Sequence, residues 1–140
     1  MAKVIYARLC KKIKRDKQTG SYALVGSFAT LPWTDAPTSF VLVVYWLGTN
    51  ETFQQTFAIT DADGTLLDQT PATECVLGDK RINVSTAFFH VVFPRSGYYS
   101  INVFQNGVCI EAIPLPVIEA EQAIHNPPFP FVPLPGATHT

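Results

Sequence analysis

Few residues in this chain are suited to chemistry: three histidines, His90, His125 and His139, and three cysteines, Cys10, Cys75 and Cys109. A nucleophile, base and acid relay would have to use one of those histidines, and the G-x-S-x-G elbow that presents a catalytic serine is absent. His90 sits in an apolar run beside Phe88 and Val92, where an imidazole is ordinarily packed and hydrogen-bonded. His125 and His139 belong to a proline-rich C-terminal segment. The cysteines are odd in number and form no C-x-x-C pair, so neither a disulfide framework nor a zinc knuckle is encoded, and buried reduced thiols are expected. Asp61-Ala62-Asp63-Gly64 begins like a calcium loop, but Thr65, Leu66 and Leu67 follow where further oxygen ligands are needed, and Asp68 alone does not complete a site. A turn closed by Asp-Gly accounts for it better. Phosphate-cradling glycine patterns are missing as well. These residues predict a protein that is not an enzyme, with no catalytic residues, no metal and no cofactor.

Charge points away from polyanions. The net charge is -1, although Lys11, Lys12, Lys14, Arg15 and Lys17 crowd half of the ten basic residues into seven positions. No aromatic platform interleaves with them, so a solvated hairpin loop is expected there, with no nucleic-acid partner. The N-terminus lacks the pattern of a secretory signal, and no apolar run approaches the roughly 20 residues of a membrane span. A cytoplasmic protein with no membrane partner is therefore expected, which empties the sequons at Asn50 and Asn83 of meaning. Among the aromatics, Tyr99 and one of Tyr45 and Trp46 should point inward. Trp33, in a loop between Pro32 and Pro37, could either pack against proline or offer a platform to a sugar.

The elements that would position these residues are strands. Asn106-Gly107, flanked by alternating side chains, predicts a two-residue type I′ hairpin. Gln105 then opposes Val108, Phe104 opposes Cys109, Val103 opposes Ile110 and Ile101 opposes Ala112. Tyr99, Ile101, Val103, Val108, Ile110 and Ala112 fall on an inner face. Ser100, Asn102, Phe104, Cys109, Glu111 and Ile113 fall on an outer one. Further strands are expected near Val4–Cys10, Tyr22–Thr30, Phe40–Leu47, Phe53–Thr60, Thr65–Gln69 and Ile82–Phe93. No segment sustains a helical period. Seven or eight short strands punctuated by turn residues predict an all-β antiparallel sandwich.

Hydrophobic residues make up 47% of the chain and charged residues 15%, against about 25% charged in an ordinary soluble domain. The excess is concentrated. Phe40–Leu47 is apolar on both faces and Ala87–Phe93 nearly so, yet a sandwich covers only one face of each sheet, so a further cover is expected. Residues 119–140 are a candidate, with Pro127, Pro128, Pro130, Pro133 and Pro135 interleaved with Phe129, Phe131, Val132 and Leu134. Such a tail favours an extended polyproline path. It could fray, dock on its own domain or on a neighbouring copy, or be read by a proline-binding module.

The opening VIYARLCKKIK with Leu9-Cys10, the strand Leu24-Val25-Gly26-Ser27-Phe28, the corner Pro94–Tyr99 and the Asn106-Gly107 hairpin resemble a family of small uncharacterised bacterial proteins. The resemblance covers residues 1–118 and leaves 119–140 outside as a tail. It implies an immunoglobulin-like β-sandwich and carries no catalytic residues to transfer. Together these features predict a structural or assembly module that joins a protein partner or its own copies. Phe129, Phe131, Val132, Leu134, Phe104 and Ile113 are the candidate contact residues. The rival is an accessory domain binding a small molecule, a carbohydrate or an anion, through Trp33 and the Asp16–Gly20 and Asp61–Gly64 loops.

Overall fold

The computed structural model describes residues 1–119, whose regular secondary structure is entirely strand. The strands are β1 (Lys3–Arg15), β2 (Tyr22–Phe28), β3 (Leu31–Pro32), β4 (Thr38–Leu47), β5 (Thr52–Thr60), β6 (Leu66–Gln69), β7 (Thr73–Val76), β8 (Ile82–Val91), β9 (Gly97–Gln105) and β10 (Val108–Ile118). One sheet has the order β2-β1-β4-β8; the other runs β3-β10-β9-β5-β6, with β7 also pairing β5. All eight strands expected from the sequence are present. The two additions are β3, whose two residues are too few to leave a periodic signal, and β7, four residues that follow Pro71.

The connectivity is immunoglobulin-like. β4 and β8 take the places of strands B and E, β5, β9 and β10 those of C, F and G, and β3 runs parallel to β10 at the closing edge. The Pro-x-x-Gly corner leads into β9, where the Tyr99 hydroxyl donates to the Arg95 carbonyl at 2.7 Å, the tyrosine corner of such sandwiches.

Alternation on β4 explains the core. Phe40, Leu42, Val44 and Trp46 face the other sheet, where Trp46 packs on Phe53 with ring centroids 4.7 Å apart; within its own sheet Phe40 stacks on its cross-strand partner Phe89 at 5.2 Å. The polar groups drawn inside are partnered. The Trp46 indole donates to Ser85, Ser85 donates to Gln55, and Gln105 donates to the Ala2 carbonyl. No buried side-chain polar atom among the described residues lacks a partner.

The β9–β10 hairpin departs from its expected register. Val108 opposes Gln105 and Cys109 opposes Phe104 as predicted, but a bulge between Cys109 and Glu111 then shifts the ladder, so Glu111 opposes Val103 and Ile113 opposes Ile101. One extra residue turns every later side chain to the other face. The inner row of β10 is therefore Ile113, Leu115 and Val117, and Ala112, expected inside, is exposed; Val108 before the bulge and Ile110 within it, also expected inside, are exposed as well. Ile113 packs against the core instead of lying on the outer face.

A second departure concerns the basic cluster. Lys11, Lys12, Lys14 and Arg15 are not in a loop: β1 continues through Arg15, and the turn proper is Asp16–Ser21. Asp16 accepts from the Gln18 N–H there, which holds its carboxyl below the ordinary range.

Candidate functional site

The outer face of the four-stranded sheet answers the question posed by its doubly apolar strands. On the β1 side the cover comes from neighbouring side chains. Val41, Val43 and Cys10 are buried on that face, with Ile13, Leu24 and Tyr45 packed around them. Counting alternately from Leu9, which faces the main core, Ile13 should also point inward. It does not, because the ladder between β1 and β2 skips Lys11 and Gly26, and Gly26 adopts φ 72°. Tyr6 stacks on Tyr45 with centroids 4.3 Å apart, and Arg8 lies over the Tyr6 ring. Burial pushes the Tyr45 phenol up, with Tyr6 beside it contributing.

On the β8 side no such cover comes from the described residues. β8 pairs with β4 over ten consecutive residues, from Thr38↔Val91 to Leu47↔Ile82, so its side chains alternate strictly. Ala87, Phe89 and Val91 are buried; Ile82, Val84, Phe88 and the following Val92 point outward, and Phe88 is 68% exposed. A row of large apolar side chains on an outer face is the pattern expected of a contact surface. β8 is also the last strand of its sheet, with no partner beyond it among the described residues.

A groove of about 430 Å³ opens at one end of this row, lined in part by Lys11, Ile13, Ser39, Phe88 and His90. Ser39 and His90 are cross-strand partners, with Oγ and Nδ1 2.6 Å apart. No carboxylate among the described residues pairs with His90. The arrangement lacks the acid that would orient the imidazole of a relay.

Phe104 lies half-buried on the outer face of the six-stranded sheet, between Thr56 and Cys109. Its neighbours on that face, Thr60, Ser100 and Asn102, form a hydrogen-bonded polar cluster. Phe104 and Ile113 are on opposite faces and make no common surface. Phe129, Phe131, Val132 and Leu134 lie outside the described residues. Trp33 is half-buried against the core, and its indole donates to the Phe93 carbonyl at 3.0 Å. Asp61 accepts from the Asp63 and Thr65 N–H groups, giving the expected Asp-Gly turn, and pairs with Arg95 at 3.6 Å. No hydrogen bond links this turn or the Asp16–Ser21 turn to Trp33. Among the described residues no three His, Cys, Asp or Glu side chains converge on a common point. Cys10 and Cys75 are buried as expected, but Cys109 is exposed.

The row on β8 was half legible in the sequence. Ala87–Phe93 shows apolar residues on both faces, but the place of β8 at the edge follows from topology, which no local pattern carries.

Solved structures share the architecture at low identity. The C-terminal domain of wzt is similar over 85% of this chain and 74% of that one, with 16% identity and a TM-score of 0.50. An immunoglobulin-like protein from Pseudomonas aeruginosa is similar over 84% and 96% of the two chains, with 12% identity and a TM-score of 0.44. A glycosyl hydrolase family 2 member from Bacteroides cellulosilyticus DSM 14838 is similar over 61% of this chain at 12% identity and a TM-score of 0.49, but that match spans only 13% of the hydrolase. No curated protein matches the sequence. The family model that matches covers residues 5–118, nearly the whole sandwich and both of its signature corners, so the chain belongs to the family of unknown function DUF6941.

Proposed function

We propose that this domain is a non-enzymatic contact module that binds protein through the outer face of its four-stranded sheet. The observation that carries the reading is the outward row Ile82, Val84, Phe88 and Val92 on a strand that stands last in its sheet. Covering each large side chain of such a row stabilises a complex by about 1.5 kcal/mol or more. The rival reading, a carbohydrate or anion site at Trp33, has less support, because the Trp33 ring packs on the core and its N–H is already bonded. The contact surface therefore moves from Phe104 and Ile113 to β8.

The test is a photo-cross-linking side chain placed in cells at Phe88 and, as a control, at Asp63 on an exposed turn. A covalent protein adduct from position 88 with none from position 63 is expected. Absence of an adduct at both positions would refute the reading.

A further inference from the structure

β8 carries no charged residue, proline, glycine or bulge in its ten residues. Open sheet edges are normally blunted by such devices, because their unpaired N–H and C=O groups template pairing with another chain. This molecule applies them at its other edges. β2 is interrupted at Gly26, β10 has the bulge before Glu111 and carries Pro114 and Pro116, and β3 contains Pro32. β6 and β7 have four residues each and include Asp68 and Glu74. β8 alone is left long, regular and neutral among the described edges.

The topology shows why the edge is open. In an immunoglobulin sheet of order A-B-E-D, strand D lies against E. Here β8 holds the E position, and the chain before it pairs with β5 as β7, leaving the D position empty among the described residues.

We propose that this position is filled by β8 of a second copy of the chain, antiparallel about a twofold axis, so that two four-stranded sheets become one of eight. The proposal rests on reading β8 as a contact surface and names its partner. A twofold contact must tolerate its own image, and a strand without charge opposes no like charges. Opposed residues in an antiparallel pair share a face, so the facing residue numbers must sum to an even number. Ile82, Val84, Phe88 and Val92 then meet the same row of the other copy, and the two cores run together beneath Ala87, Phe89 and Val91. The ends also complement each other. Asp79, Lys80 and Arg81 precede β8 and leave that end one positive charge in excess, whereas the opposite end holds Arg95, itself paired with Asp61, and Asp35, two residues beyond the Trp33 that is bonded to Phe93. Antiparallel pairing brings the end with a net positive charge in one copy to the end with a net negative charge in the other. The chain's own residues 127–135 suit this edge poorly, because five prolines there cannot donate to a ladder.

The experiment uses the full chain at tens of micromolar, with mass by light scattering and amide exchange followed along β8. Twice the chain mass is expected, with slow exchange at those alternate β8 amides that do not bond β4. In the full-length V84K/F88K variant, both sites being exposed, the mass should halve. The same amides should then exchange at least tenfold faster, while those bonded to β4 stay protected and report an intact fold. A monomeric wild type, a dimer with fast edge amides, or a lysine variant that stays dimeric would each overturn the proposal. Slow edge amides in a monomer that become fast in F129S/F131S would assign the edge to the chain's own tail instead. A position-88 adduct of a mass other than twice the chain's would overturn the copy as partner and leave the contact reading standing.

Discussion

The Trp33 indole N–H donates to the Phe93 carbonyl at 3.0 Å, while the Trp33 backbone N–H donates to the carbonyl of Ile118. One residue thus ties the end of the β8 segment to the end of β10 and closes the sandwich between its sheets. The ring acts here as a clamp. Trp33→Phe keeps most of the ring and removes the donor, leaving the carbonyl unpaired, so it should cost about 1 kcal/mol. Denaturant unfolding with an unchanged slope would show it. A variant as stable as the parent would refute the clamp.

The tyrosine corner makes a matching prediction at the start of β9. The Tyr99 ring packs on Phe93 with centroids 4.9 Å apart and its hydroxyl reaches back to Arg95, so Tyr99→Phe removes only the hydrogen bond. A loss of about 1 kcal/mol is expected, seen as a fall in Tm of roughly 3–6 °C. The corner holds the loop in which Arg95 pairs with Asp61. Thermal scans of Tyr99→Phe and Asp61→Asn should therefore show the larger fall for the tyrosine, since an ion pair at 3.6 Å with its arginine exposed contributes little and an asparagine oxygen can still accept from the Asp63 and Thr65 N–H groups.

Gly26 is the position where backbone freedom decides how β1 faces its sheet. Its φ is 72°, and a Cβ there would meet the Lys11 side chain at 3.1 Å, so Gly26→Ala combines strain with crowding. A cost of about 1–3 kcal/mol is expected. Gly107 has φ 80° but opens to solvent, so Gly107→Ala should cost only the conformational part, about 1 kcal/mol. Denaturant midpoints that rank the two variants in the reverse order would refute this account of the face switch.

The sandwich was legible because alternation and turn chemistry are local. Asn106-Gly107, Asp63-Gly64 and the Pro94–Tyr99 corner place the strand ends, and Phe40–Leu47 shows its two-sided burial directly. What escaped has a common cause, in that one residue reverses a face without altering composition. The bulge between Cys109 and Glu111 moved Ile113 inward and Ala112 outward, and the step at Lys11 and Gly26 moved Ile13 to the outer cluster. The exposed apolar row on β8 escaped differently. Phe88 and Val92 read as apolar wherever their strand lies, and only the sheet order, set by long-range pairing, leaves them exposed among the described residues.

The cysteines separate by burial, and this gives a chemical test with a pH signature. Cys109 is exposed, whereas Cys10 and Cys75 are buried, so a maleimide should label one thiol rapidly in the native chain and all three after unfolding. Cys109→Ser should abolish the fast phase. Burial pushes the Cys10 and Cys75 thiols above the ordinary value of 9.0, since a thiolate is poorly solvated inside. Below that value both folded and unfolded chains keep these protons, and the contribution to stability is fully present. Above it the unfolded chain releases them first, the folded chain holds more protons, and stability falls as pH rises towards the raised folded values. Denaturant midpoints measured from neutral pH to about pH 10.5, beyond the ordinary thiol range, should decline at the alkaline end, and Cys75→Ala should make that decline shallower. An unchanged decline in Cys75→Ala would show that burial of this thiol contributes nothing to the pH dependence.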